Sequence, residues 1–272
     1  MVRSITKRRF TLTTALYIYA VLLVIFIYAP VASLFAFSFK LGAHISFPYP
    51  GFTLEWYEAF FNDQGLVNAL MRSLQVALTT MAITTSLCIV TALALRTRFP
   101  GRDVVFYLIM LGIIVPGVVY GVGSAIFFSQ YIGVTLSFWT ILPVQVVWTL
   151  PWGLILMLAR FDPELVAYEQ AAAALGAPKI RVLREITFPL IFPQIMAAAL
   201  FAFTLSFSEL MRSLFVAGPA TPTVAVLMYG VVANQPATPK FYALGTIITM
   251  VSILLIAGAG FAMTRGPGKK LF

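Results

Sequence analysis

Residues 162–193 read DPELVAYEQAAAALGAPKIRVLREITFPLIFP, the longest run in the chain that could live in water. Asp162-Pro163-Glu164 is a helix start, with an Asp cap, Pro at the first helical position and an acid in the first turn. The predicted helix runs through AYEQAAAAL and stops at Gly176. Pro178 opens a second predicted helix, Pro178 to Thr187, carrying Lys179, Arg181 and Arg184; Pro189 and Pro193 then mark a return to apolar sequence. Two readings of this helix–turn–helix stand. It is a socket for a partner, because the small side chains Ala171 to Ala174 let another surface come close to the backbone. Otherwise it is an amphipathic connector lying on lipid headgroups, with its basic residues toward phosphate.

On either side the sequence could not live in water. Of 272 residues, 61% are hydrophobic and only 10% charged, against roughly 25% charged in a soluble domain. Lipid must therefore cover most of this chain. The uncharged stretches give an all-α membrane protein: a single transmembrane domain over 1–272 with six spans, about 10–39, 73–95, 104–128, 137–159, 190–217 and 241–264. Residues 160–189 form the loop between spans four and five. The first apolar run is too long for a cleaved signal peptide and reads as an uncleaved helix kinked at Pro30. Between spans three and four, Gly133 permits the turn, and Thr223 to Ala233 is too short to span. Six spans put both termini on one side, and fourteen of the eighteen basic residues fall on that side. By the positive-inside rule it is the cytoplasmic one.

The net charge of +9 is spread in short clusters between spans, which argues against nucleic acid as a partner. The single Cys88 has no partner for a disulfide or a thiolate metal site, and the lone His44 sits in a polar loop. No paired carboxylates, HExxH or nucleophile–His pair suggests an enzyme or a metal site. Glu209 is the clearest intramembrane acid, and buried charge is a functional hypothesis. Ser206, Glu209, Arg212 and Ser213 share one helical face at three- and four-residue spacing, which reads as a polar stripe along a solute path. The alternative is a Glu209–Arg212 pair that neutralises itself. Tyr120, Trp148 and Trp152 are candidate pore aromatics or packing residues, and Gly112, Gly117, Gly121 and Gly123 permit close helix contact. In GFTLEWYEAFFND, a short helix capped by Thr53, Trp56 and Tyr57 serve as an interfacial anchor, as a ledge for an extracytoplasmic protein, or as both. An ion-coupled secondary transporter is the rival class, but one intramembrane acid and no visible repeat suit it poorly.

The polar run resembles the cytoplasmic EAA loop of permease subunits of bacterial ABC importers. That pattern is Glu-Ala-Ala, three residues, Gly, nine residues, Ile, any residue, Leu-Pro. Ala171, Ala172, Gly176, Ile186 and Pro189 match it. Gln170 stands where the Glu belongs, Phe188 where the Leu belongs, and Glu169 comes one residue early, about 100° around the helix. With FTLEWYEAFF, LGAPKIRVLREITFP and FVAGP, nearly the full chain resembles the second permease subunit of spermidine/putrescine-type importers. The resemblance implies an ATPase-coupling surface of Glu169, Gln170, Ala171, Ala172, Gly176, Ala177, Arg181, Ile186 and Pro189. It also implies two cytoplasmic ATPase subunits, a second related permease, an extracytoplasmic solute-binding protein and a bacterial inner-membrane location. The chain has no GxxxxGK[ST] loop, so ATP and Mg would bind the ATPase and no cofactor this chain. The implied solute is a small amine-bearing molecule of polyamine type. Polyamine members carry adjacent acids in span five and an acid after the Pro of span three. Here Leu210 follows Glu209 and Gly117 follows Pro116, which leaves a zwitterion, amino acid-like or aminophosphonate, as the alternative solute.

Overall fold

The computed structural model describes residues 2–42, 51–234 and 238–265, so His44, Lys269 and Lys270 lie outside the described residues. Among these residues the chain is helical throughout, apart from turns and one isolated antiparallel bridge, Lys40 with Phe52. Five helices are long and apolar enough to cross a membrane, and a bent helix pair makes a sixth if counted as one span. The chain divides into two compact units, Met1–Asp63 with Gln235–Val251, and Gln64–Asn234 with Ser252–Phe272.

In the first unit, α1 (Val2–Ser38) carries Pro30 inside a continuous helix. From Thr13 to Pro30 every residue is exposed, as expected of a helix solvated by lipid. Helix α2 (Glu55–Asn62) follows a turn in which the Thr53 hydroxyl accepts the Glu55 N–H at 3.1 Å; the capping position itself is Leu54. The Trp56 indole donates to the Lys40 carbonyl at 2.8 Å, and the Tyr57 hydroxyl meets Ser38 Oγ at 2.8 Å. The polar ends of both aromatics thus tie α2 to the end of α1, and Phe52, Leu54 and Phe61 are the large apolar side chains left exposed. Helix α12 (Pro239–Arg265) starts in this unit, where Lys240 Nζ pairs with Asp63 at 2.7 Å.

The second unit is built on α3 (Gln64–Leu95), α6 (Phe138–Leu158) and α9 (Phe188–Phe207), which pack on one another. Helix α3 starts well before Ser73, the expected start of span two. Leu66, Ala69 and Leu70 bury one face at helical spacing, and Arg72, which interrupts the uncharged run, sends its guanidinium to the Pro222 carbonyl at 3.4 Å. Span three is not one straight helix over 104–128. It is α4 (Arg102–Ile114) and α5 (Gly117–Ile126), the latter continuing as a π-helical turn to Ile132, with a 104° bend between them. Pro116 causes the break: it has no N–H for the ladder, and Val115 before it is pushed to an extended ψ of 124°. Pro143 and Pro151 stay inside α6. Pro151 cannot donate to the Val147 carbonyl, and Gly112 of α4 packs on that carbonyl, where a Cβ would lie 2.8 Å from the oxygen. Gly121 is similarly pressed against Phe215 and Arg212, whereas Gly123 faces open space.

The loop helices are α7 (Pro163–Ala174) and α8 (Lys179–Val182). The second does not end at Thr187, the expected limit. It passes through a π turn, Leu183–Thr187, straight into α9, so that Lys179–Phe207 is one 29-residue run. The wider turn shifts the hydrogen-bond register where the Pro189 ring would otherwise meet the preceding carbonyls. At its far end α9 stops at Phe207, ten residues before the expected limit of span five. The chain turns through Ser208–Arg212 into α10 (Ser213–Val216), and α11 (Val224–Asn234) packs on α3.

Candidate coupling loop and polar cluster

Helix α7 is closed at both ends by its own sequence. Asp162 Oδ1 accepts the Leu165 N–H at 2.9 Å, and Arg160 Nη1 reaches Asp162 Oδ2 at 2.5 Å. The Leu165 N–H and then the Arg160 guanidinium hold the Asp162 carboxyl below the usual aspartate range, against some desolvation. At the other end Gly176 takes φ +83°. The Gly176 N–H donates to the Ala173 carbonyl at 3.0 Å and the Ala177 N–H to the Ala172 carbonyl at 3.1 Å. That pair of bonds is the Schellman closure, and it needs a residue free of a Cβ penalty.

The two faces of α7 differ. Leu165 is fully buried in a core with Cys88, Leu95, Leu154, Met157, Leu190 and Ile191, and Ile186 packs against the same core. Gln170, Ala171, Ala173, Ala174 and Gly176 are exposed; Ala172, Ala177, Ile186 and Pro189 are half-buried. Leu175 and Ile180 stand out at 90% and 70% exposure, on either side of the turn. Arg181 is exposed and only loosely paired with Glu185 at 3.9 Å. Glu169 differs from its neighbours because it points back into the chain. Arg96 Nη1 donates to its Oε1 at 3.0 Å and Arg96 Nη2 to its Oε2, while the Thr187 hydroxyl donates to Oε1 at 2.5 Å. Burial works to raise this carboxyl; Arg96 and Thr187 together more than reverse it and hold it below the ordinary glutamate range.

The second cluster lies where α9 breaks. Ser206, Glu209, Arg212 and Ser213 do not form one helical stripe, because the helix has ended at Phe207. The reason is local: Glu209 Oε1 accepts the Arg212 backbone N–H at 2.9 Å, opening α10, and Oε2 takes Arg212 Nη1 at 2.9 Å. Both side chains are buried, at 7% and 8% exposure. The Arg212 guanidinium lies 3.7 Å over the Trp148 ring, and Trp148 and Trp152 meet edge to face. Gln145 bridges the break: its Nε2 donates to Ser213 Oγ at 2.9 Å and its Oε1 accepts from Ser206 Oγ. Tyr120 lines a different opening of about 450 Å³, between α5 and α6, with Ser124, Phe127 and Val147. Arg96, Thr187 and Gln145 escaped the reading of the sequence. Their partners lie 73, 18 and 61–68 residues away, and no local periodicity links them. The one hint was the offset of Glu169 from the motif position.

No protein-family model matches the chain. Relatives of known function do match, and their class is that of ABC-importer membrane permeases. In particular, the chain is 29% identical over 259 residues to the spermidine/putrescine transport system permease protein PotC of Shigella flexneri, covering 94% of each. It is 28% identical over 253 residues to the putrescine transport system permease protein PotI of Escherichia coli (strain K12), covering 90% of this chain and 89% of that one. The fold matches a chain of a bacterial ABC transporter involved in import of the acidic polysaccharide alginate, with TM-score 0.71 and 18% identity over 95% and 96% of the two chains. The resemblance to spermidine/putrescine-type permeases is thus borne out along the chain. It favours neither the zwitterion nor the ion-coupled alternative.

Proposed function

We propose that this chain is the transmembrane permease subunit of an ATP-driven importer of a small amine-bearing, polyamine-type solute. The observation that carries the reading is the likeness to polyamine permeases over nearly the whole chain. The α7–turn–α8 tip is the socket for a cytoplasmic ATPase: a doubly capped helix pair that presents small alanines flanked by exposed Leu175 and Ile180. Both termini and this tip face the cytoplasm of the bacterial inner membrane. The complex holds two ATPase subunits, which bind ATP and Mg, and a second related permease; a binding protein delivers solute at the outer face, where α2 is the ledge. This chain performs no chemistry of its own.

Glu209 is the group that meets the amine. Its carboxylate already satisfies Arg212, and an incoming ammonium can replace the Arg212 Nη1 bond while the guanidinium stays stacked on Trp148. Two measurements test the reading. Purified in detergent, the chain should bring an ATPase with it, and Leu175→Glu should release that ATPase. In vesicles holding the whole complex, putrescine uptake should require internal ATP. Glu209→Gln should cut apparent affinity about ten- to a hundredfold, the equivalent of a charged hydrogen bond worth ~1.5–3 kcal/mol. A chain that elutes alone and takes up solute along an ion gradient would sink the proposal.

A further inference from the structure

The motif acid of the loop has moved one place along α7, and the structure gives it a different job. We propose that Glu169, Arg96 and Thr187 form an internal clasp that passes displacement of α7 to spans two and five, and that Glu169 makes no contact with the ATPase. This rests on the reading of α7–α8 as the ATPase socket. Three elements meet at one carboxylate. Arg96 is the first residue after α3, the helix of span two, and its guanidinium grips both carboxylate oxygens in the two-bond fork that fixes orientation as well as distance. Thr187, 1% exposed, is the last residue of the π turn that leads into α9, the helix of span five. The Arg96 guanidinium also lies 4.6 Å over the Phe161 ring, next to the cap of α7. A push on the exposed side of α7 therefore cannot move the helix without pulling on the ends of both span helices.

The chemistry of the neighbours supports this division of labour. Gln170 is exposed beside Glu169 and offers a partner both a donor and an acceptor without leaving a buried charge unpaired. Glu169 has its oxygens occupied by three internal donors, and withdrawing it toward a partner would strand Arg96 and Thr187. The π turn at 183–187 makes the second anchor specific. Thr187 donates to Glu169 and also lies 3.4 Å from the Val182 carbonyl, so its hydroxyl straddles the register shift between loop and span.

The test uses the whole reconstituted complex and reads putrescine moved per ATP hydrolysed. Wild type must first show ATP-dependent uptake with the ATPase bound; failure there removes the socket reading, not the clasp alone. Given that, Thr187→Val should lower solute per ATP about fivefold, and Thr187→Ser should restore it. This lies within the range seen when a coupling linkage is altered. Glu169→Gln should do the same while the ATPase still co-elutes. The charge exchange Arg96→Glu with Glu169→Arg should recover part of what either single change loses. The clasp is overturned if Thr187→Val and Thr187→Ser behave alike, or if Glu169→Gln releases the ATPase.

Discussion

Two arginine–carboxylate pairs in the chain have similar chemistry and opposite architecture. Arg96 and Glu169 come from elements 73 residues apart and join three segments at a partly open site, with side chains 22% and 16% exposed. Glu209 and Arg212 lie three residues apart in one turn, almost sealed from solvent, and close on themselves. A pair that bridges elements transmits position between them. A pair confined to one turn sets only the shape of that turn and offers a neutralised charge to whatever approaches. The difference decides what each deletion should do.

The inner pair should give the largest effect. Glu209→Ala leaves the Arg212 guanidinium buried without its counter-charge, at a cost of about 3–5 kcal/mol, and also removes the acceptor that opens α10. Thermal unfolding in detergent should show a marked loss. Adding Arg212→Met should recover most of it, because the double variant strands no charge. If the double variant is no better than the single, the damage comes from the turn and not from the charge, and the contrast between the two pairs weakens.

Arg96→Ala should be milder, about 1–2 kcal/mol once solvent screening at a partly open site is allowed for. Its signature is non-additivity. In a double-mutant cycle with Glu169→Ala the two changes should couple by roughly 1 kcal/mol, whereas Arg96→Ala with Glu209→Ala should add. A further pair of glycine changes separates the regions. Gly121→Ala puts a Cβ 2.9 Å from the Phe215 ring and 3.1 Å from Arg212 Cα, so it should disturb only the inner pair, by about 1–3 kcal/mol. Gly176→Ala meets nothing in space but must hold φ +83°, so it should loosen only the α7–α8 turn, by about 1–2 kcal/mol.

What could be seen in the sequence follows the same line. The cap, the first-turn acid and the stop of α7 are consequences of neighbours within a few residues, and they stand in the structure where the sequence places them. Glu209 and Arg212 were legible as a possible pair for that reason. Their stripe was not, because helical spacing assumes a helix, and the Glu209 carboxylate ends it by taking a backbone donor. Prolines show the limit most clearly. Pro30, Pro143, Pro151 and Pro193 sit inside helices while Pro116 bends its span by 104°. Which proline breaks depends on what packs against the freed carbonyl, as Gly112 does beneath Pro151, and that partner is remote in sequence. Arg96 carried no sign beyond its charge, because the carboxylate it grips is brought to it only when α3, α7 and α9 pack.

The smallest effect concerns pH. Glu169 and Asp162 both sit below their ordinary carboxyl ranges, Glu169 because Arg96 and Thr187 outweigh its burial and Asp162 through the Leu165 N–H and Arg160. A carboxyl whose folded value is depressed contributes stability above its unfolded value and loses it as pH falls through the folded one. Between pH 8 and 6 both groups therefore stay ionised in either state, and the stability that they lend to α7 should not change. Loss should begin only below roughly pH 4.3, the unperturbed glutamate value, and should be complete only at still lower pH. Hydrogen-exchange protection of the α7 amides across a pH series reads this directly. In Glu169→Gln the Arg96 fork can no longer titrate, so whatever acid sensitivity remains belongs to Asp162 and should vanish with Asp162→Asn, which keeps an oxygen for the Leu165 N–H. A midpoint near neutrality that survives both changes would place the sensitivity outside this loop and break the link between the clasp and the carboxylate that holds it.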